Sequence, residues 1–218
     1  DKDSYTIAEI SSFQLETIHQ FHPKVSAILN ITPDHLNRHH TMECYVETKE
    51  RISVNQNKGD VCVLNYEDSY LVDFGNICNA DVIWFSSKRK PPKGAKTQKS
   101  VYVEGEHIKY TDGRNDFDII CVQDMNLIGV HNYENVCAAV AMCVAVGVPF
   151  DIIINEVKHF KAVEHRIEYV ATKNDVVYYN DSKGTNPDAS IKAIKAMSRP
   201  TILIGGGFDK GANFDMYT

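Results

Sequence analysis

The chain has 218 residues, with 23 Lys and Arg against 29 Asp and Glu, a formal net charge of -6 at pH 7. That acidity speaks against a nucleic-acid binder, because the one basic stretch, residues 88–93, contains two prolines and reads as a solvated loop. The longest apolar run, residues 136–150, is broken by Gly147 and Pro149 and falls short of the roughly 20 residues a membrane helix needs.

Such a length accommodates one large domain or two modest ones. The chain opens at Asp1, with no Met and no signal-like segment, and residues 5–10 already read as a strand. Residues 213–218 would begin a helix, so both ends are expected to be cut from a longer protein. Residues 25–31 read as a second buried strand. Thr32 is an expected helix N-cap, with Pro33 at the first helical position. A helix is expected over 42–54, where Met42, Tyr45, Val46, Lys49 and Ile52 share one face. Residues 61–64 and 82–85 are short strands. Residues 101–103 and 107–110, joined through Gly105, form a hairpin. Two helices follow, over 135–146 (ended by Gly147) and 151–160.

Near His165 a new unit starts: strand 176–179, helix 189–197, strand 201–204, then a glycine-rich loop over 205–211. The expected fold class is therefore α/β. A mostly parallel sheet has flanking helices and a small antiparallel annex, and a truncated Rossmann-like unit follows it. The expected domains are residues 1–163 and 164–218. The six cysteines show no CxxC spacing, which argues against zinc and for buried free thiols in a reducing cytosol.

The polar run Asn180-Asp181-Ser182-Lys183-Gly184-Thr185-Asn186 lies between a strand and a helix, where open α/β sheets bind ligands. It combines a carboxylate, a cation and hydroxyls, a set suited to phosphorylated or carboxylated substrates, and equally to a polar turn with a helix cap. Glu9, expected at a strand end and followed by Ser11 and Gln14, can ligate Mg²⁺ or be an ordinary loop residue. His35 occupies the equivalent position after the next strand, with the same two readings. Lys49 shares the apolar face of its helix. It either snorkels, or is a partly buried amine able to take up CO₂ as a metal-binding carbamate. Asn132 and Asn135 can read an adenine edge or a phosphate, or cap their helix. Arg166 can reach a phosphate across a cleft or form a surface ion pair. Lys210, after Gly205-Gly206-Gly207, can attract an anion.

Taken in order, these segments closely resemble the Mur ligases: Glu9-Ile10-Ser11-Ser12-Phe13-Gln14-Leu15, Asp34-His35-Leu36, Lys49, Gly129-Val130-His131-Asn132-Tyr133-Glu134-Asn135, His165-Arg166, Asp181-Ser182-Lys183-Gly184-Thr185-Asn186, and Gly205 through Lys210. The likeness spans nearly the whole chain. The Ser-Ser-Phe-Gln and Asp-Ser-Lys segments are similar to those of the branch that adds D-glutamate to UDP-N-acetylmuramoyl-L-alanine. Related branches that add lysine or diaminopimelate, folylpolyglutamate-type ligases and a non-catalytic binding module are the alternatives.

The resemblance implies ATP and Mg²⁺ as cofactors and amide formation through an acyl phosphate. It also implies a cytoplasmic, monomeric enzyme of peptidoglycan precursor synthesis, serving cell shape and division, with no membrane insertion. It implies that Glu9, His35 and a carbamylated Lys49 are the catalytic metal ligands, and that Asn132, Asn135, Arg166 and Asp181 hold ATP. Ser11, Gln14, Lys183, Thr185 and Lys210 then bind substrate. Many relatives carry Asp at Asn37 and Ala at Gly184. The family's GxxxxGK[ST] phosphate loop does not occur here, so this length of chain alone is expected to be inactive.

Overall fold

A computed structural model describes residues 4–92, 97–161, 163–185 and 187–207. Its centre is a six-stranded sheet whose spatial order follows the chain: β1 (Val25–Ile28), β2 (Val61–Asn65), β3 (Asp81–Ser86), β4 (Ser100–Glu104), β5 (His107–Thr111) and β6 (Asp116–Cys121). The first four strands pair in parallel and the last two antiparallel. The expected hairpin is thus β4–β5. It extends the main sheet, and β6, which the sequence reading missed, closes the edge.

Both faces of β2 and β3 are covered, which is why these strands read as unbroken apolar runs and not as alternation. Successive side chains still point to opposite faces. Val63, Ile83 and Phe85 join one core, with Val101, Ile108 and the inner side of α5 (Val130–Ala145). Cys62, Leu64, Val82 and Trp84 join the other, with Tyr45 and Val46 of α3 (Met42–Glu50) and Leu71 and Phe74 of α4 (Ser69–Ile77). In α5 the packed residues include Cys137, Ala138 and Ala141, whose small side chains let the helix lie close to the strands. Helix α6 (Phe150–His159) adds Ile153 to that core. Gln56, about 1% exposed, braces the β1–β2 edge. Its Oε1 accepts from Ser26 Oγ at 2.7 Å, and its Nε2 donates to the carbonyls of Pro23 and Val61 at 3.0 Å each.

Beyond the main sheet, β7 (Glu168–Lys173) and β8 (Val176–Asn180) form an antiparallel pair, followed by α7 (Pro187–Lys195). Among the described residues no helix is long and apolar enough to cross a membrane. Cys62, Cys78 and Cys137 are buried thiols as expected, Cys121 and Cys143 are half-buried, and Cys44 is exposed.

Four local expectations need correction. Residues 5–10 form no strand: β1 pairs only with β2 among the described residues, and Ile7 is 95% exposed, so neither a ladder nor a core holds the segment extended. Residues 201–204 likewise have no partner strand among the described residues, and Ile202 and Ile204 are over 90% exposed. No helix starts at Thr32-Pro33. The turn carries the chain on to a one-turn helix, α2 (Leu36–His39). Finally, α5 begins at Val130, so Asn132 lies within its first turn and Gly129 is the N-cap.

Candidate active site

Three segments meet beyond the carboxyl end of β1. The first is the one-turn helix α1 (Ser12–Leu15), closed by a capping box. Gln14 N–H donates to Ser11 Oγ at 3.4 Å, and Gln14 Oε1 accepts from Ser11 N–H at 2.8 Å and from Ser11 Oγ at 2.9 Å. The second is the Asp34-His35 turn leading into α2. The third is α3, whose N-cap Thr41 accepts from the Cys44 N–H at 3.2 Å. Together they enclose a hollow of about 380 Å³, lined by Glu9, Ser11, Gln14, Asp34, His35 and Lys49, among others. All five sequence-derived candidates from the first half of the chain therefore share one cavity. Ser11 and Gln14 spend part of their polar capacity on each other.

His35 adopts left-handed backbone, φ 52° and ψ 29°. This is uncommon for a residue with a side chain, and such outliers cluster at functional sites. Asp34 helps hold it there: its Oδ1 accepts from the His35 N–H at 2.8 Å, and its Oδ2 lies 3.5 Å from His35 Nε2. The Phe13 ring packs on the imidazole at 4.9 Å between centroids. Lys49 is half-buried, with Nζ 5.4 Å from the centre of the Tyr45 ring. Sequence reasoning gave Asp34 no role, although its adjacency to His35 was the available signal. It placed Tyr45 on the helix face without seeing that the ring also lines the hollow.

No three His, Cys, Asp or Glu side chains converge tightly enough to hold a metal ion by themselves among the described residues. Mg²⁺, however, commonly takes one or two carboxylates and completes its shell with phosphate oxygens and water. Glu9, Asp34 and His35 around one open hollow fit that mode of binding.

A second group gathers around the start of α5. Asn132 Nδ2 donates to the Ile128 carbonyl at 2.7 Å, and Asn135 is exposed one turn on. Burial lowers the pKa of His131, and the positive charge of Lys192 lowers it further; Asp181 opposes the shift and Arg166 adds to it. Those couplings put Arg166 and Asp181 within electrostatic reach of the α5 terminus.

The two loops that carry them are tied together. Ile167 N–H donates to Asp181 Oδ1 at 3.0 Å, and Lys183 N–H to the His165 carbonyl at 3.0 Å. His165 and Ile167 both have positive φ, 67° and 48°. For a β-branched residue such as Ile167 this is strained backbone, held in place by the Asp181 hydrogen bond and by burial. Lys183 and Thr185 are exposed on the β8–α7 loop and do not line the first hollow. Lys210 lies outside the described residues. His131 stood within a motif but received no role from sequence, because burial was its only signal.

A further hollow of about 360 Å³ lies past β2, lined in part by Asn65, Glu67, Asp68 and Glu134. Its acids have structural work. Asp68 caps α4 and accepts from the Ile31 N–H at 2.6 Å, while Glu134 accepts from Asn65 at 2.8 Å and Ser87 at 3.2 Å.

Comparison with known proteins gives a consistent answer. Residues 1–143 match the family model of the Mur ligase middle domain. The chain is 72% identical over 216 residues to a UDP-N-acetylmuramoylalanine–D-glutamate ligase of Lachnospira eligens, covering 99% of this chain and 47% of that protein. It is 56% identical to the ligase of the same name from Lachnoclostridium phytofermentans, covering 99% of this chain and 46% of that one. In three dimensions it resembles MurF from Acinetobacter baumannii, with a TM-score of 0.62 at 19% identity over 80% of this chain and 37% of that one, a likeness of fold. The chain spans about half the length of the curated relatives it matches.

Proposed function

Because this chain belongs to the Mur ligase family, we propose that it is the middle portion of an ATP-dependent ligase that joins D-glutamate to UDP-N-acetylmuramoyl-L-alanine in cytoplasmic peptidoglycan synthesis. The observation that carries the reading is the gathering of Glu9, His35 and Lys49, with Asp34, around one hollow.

The substrate's terminal carboxylate oxygen attacks the γ-phosphorus of ATP, and the phosphorus–oxygen bond to ADP breaks. The amine of D-glutamate then adds to the carbonyl carbon of the acyl phosphate. The tetrahedral intermediate loses a proton from nitrogen and expels phosphate, leaving an amide. Mg²⁺, when bound, screens the negative charges that converge during phosphoryl transfer.

Glu9, Asp34 and His35 hold that cation. Lys49, once its neutral amine has added CO₂ and lost a proton, offers an anionic carbamate for a second. The left-handed turn at His35 sets the imidazole before substrate arrives, so little reorganisation is left for the reaction. Asn132 and Asn135 hold the nucleotide, with Asn135 near adenine. Arg166 and Asp181 approach from the β7–β8 side, toward phosphate and ribose respectively. The cationic Lys183 and Lys210 and the hydroxyl of Thr185 suit the two carboxylates of D-glutamate.

Replacing Glu9 with Gln, or His35 with Ala, in the full-length protein should lower kcat about 100-fold or more, on the scale seen when a pre-organised charge-stabilising group is removed. Both positions are substantially exposed, so the unfolding temperature should stay within a few degrees. Wild-type turnover by both variants would remove the hollow from the mechanism.

A further inference from the structure

A run of rings passes beneath the hollow and connects two of its functional side chains. His35 meets Phe13 at 4.9 Å between centroids. Phe13 stacks on His39 at 5.8 Å, with the ring planes 15° apart. His39 meets Tyr45 at 5.2 Å, and Lys49 Nζ stands 5.4 Å from the centre of that Tyr45 ring. His39 is the middle link, and it is only 5% exposed. It also shares a 3.0 Å hydrogen bond, through Nε2, with Ser12 Oγ, itself 5% exposed. Its Nδ1 lies 3.7 Å from Glu16 Oε1, and the same carboxylate is gripped by Arg38, with Nη2 to Oε2 at 2.7 Å.

Helix α1 is one turn long and cannot hold itself in place. Its position comes from these contacts and from Arg51, which donates to the Leu15 carbonyl at 2.8 Å and the Ile18 carbonyl at 3.0 Å.

We propose that His39 is a positioning residue for the ligase reaction. Its buried ring transmits the placement of α3 to the His35 turn, and its nitrogen locks α1 to the same frame. The side chains of His35 and Lys49, on separate elements, are thereby held in fixed relation across the hollow. The residue type follows from this double duty. A phenyl ring at this place would stack on Phe13 and Tyr45 but leave the buried Ser12 hydroxyl unpaired, which is costly. A carboxamide would satisfy Ser12 but end the stack. An imidazole does both. Nothing in the role requires His39 to change its protonation state or to touch substrate.

This inference rests on the proposed ligase reading, and its test separates the two. In the full-length protein, His39→Gln, His39→Phe and Phe13→Leu are compared with wild type by three measurements. One is Mn²⁺ binding, read by electron paramagnetic resonance in the presence of a non-hydrolysable ATP analogue. The others are the unfolding temperature and the separate kcat and KM values. Groups that orient metal ligands from behind are worth about 10- to 100-fold in metal affinity.

His39→Gln and Phe13→Leu should therefore each weaken Mn²⁺ binding about tenfold or more, and kcat should fall with no change in KM for D-glutamate. His39→Phe, which keeps the stack, should lose less metal affinity than His39→Gln. Phe13 is 42% exposed, so its variant tolerates folding and decides the matter if His39→Gln does not fold. Folded variants with wild-type Mn²⁺ affinity would overturn the inference while leaving the ligase reading intact. Equal losses in both His39 variants that simply track a lowered unfolding temperature would also overturn it. A wild-type protein that binds no Mn²⁺ with nucleotide would remove both.

Discussion

Replacing Gly129 with Ala tests whether Ala196, just past the end of α7, lies against the start of α5. Gly129 has φ 98° and ψ 147°, backbone that only glycine adopts without strain. A Cβ built there would stand 2.7 Å from the Ala196 Cβ and 2.8 Å from the His131 Cε1. Carbon atoms in contact prefer about 3.5–4.0 Å, so neighbours must retreat by about 1 Å. The backbone contribution is about 1–3 kcal/mol. Overpacking adds about 1–3 kcal/mol. Together Gly129→Ala should destabilise the protein by about 2–6 kcal/mol, the sum of those two ranges.

A double-mutant cycle with Ala196→Gly divides the effect. Removing the Ala196 methyl should return part of the packing loss and none of the backbone strain. The cycle is read from urea unfolding of the full-length protein. A coupling energy of about 1 kcal/mol or more is expected, in the range found for residues in direct contact. A coupling indistinguishable from zero would refute the contact. It would also weaken the argument that Arg166 and Asp181 face the α5 terminus.

Two further outcomes follow from local geometry. At Gly184 an added Cβ would lie 2.6 Å from Asp181 Oδ2, so Gly184→Ala should rotate that carboxylate. Under the proposed reading the KM for ATP should then change while the D-glutamate KM holds, and unchanged ATP kinetics would show that the Asp181 rotamer does not matter. Asp60 is held well below the usual carboxylate range, first by the hydrogen bond from the Asn57 N–H, then by His22 and Lys24. Its contribution to stability is thus complete above the ordinary carboxylate pKa near 4 and is lost as pH falls through the lowered folded value. Asp60→Asn should lower the unfolding midpoint more at pH 7 than at pH 2, and an equal loss at both would contradict this.

The extent to which the chain can be read from sequence varies with the source of the order. β2 and β3 were readable because covered faces demand continuous apolar runs, and α3 because its apolar face recurs at helical spacing. The segment at residues 5–10 looked the same locally. Its failure to form a strand lies in the lack of a pairing neighbour, which no local pattern reports. The start of α5 was misplaced because Gly129 reads as a loop residue, whereas here it caps the helix. β6 escaped because its first three residues, exposed Asp116 and Asp118 around half-buried Phe117, look like loop.

The first hollow was accessible from motif order, with Glu9, His35 and Lys49 on three separate segments. The supports were not. The His39–Ser12 bond and the ring stack join residues far apart in the chain, and only the fold brings them together. The loop at residues 180–185 was legible as a polar strand-to-helix connection. Its ties to His165 and Ile167 depend on two left-handed residues that carry no compositional mark.

The most direct test of the central claim is amino-acid-dependent phosphate release by the full-length protein, supplied with ATP, Mg²⁺ and UDP-N-acetylmuramoyl-L-alanine. The account predicts release with D-glutamate, and none with L-glutamate, L-lysine or diaminopimelate. Release with one of the other amino acids would keep the acyl-phosphate chemistry and overturn the substrate assignment. A folded, ATP-binding protein that releases no phosphate with any of them would contradict the ligase reading itself.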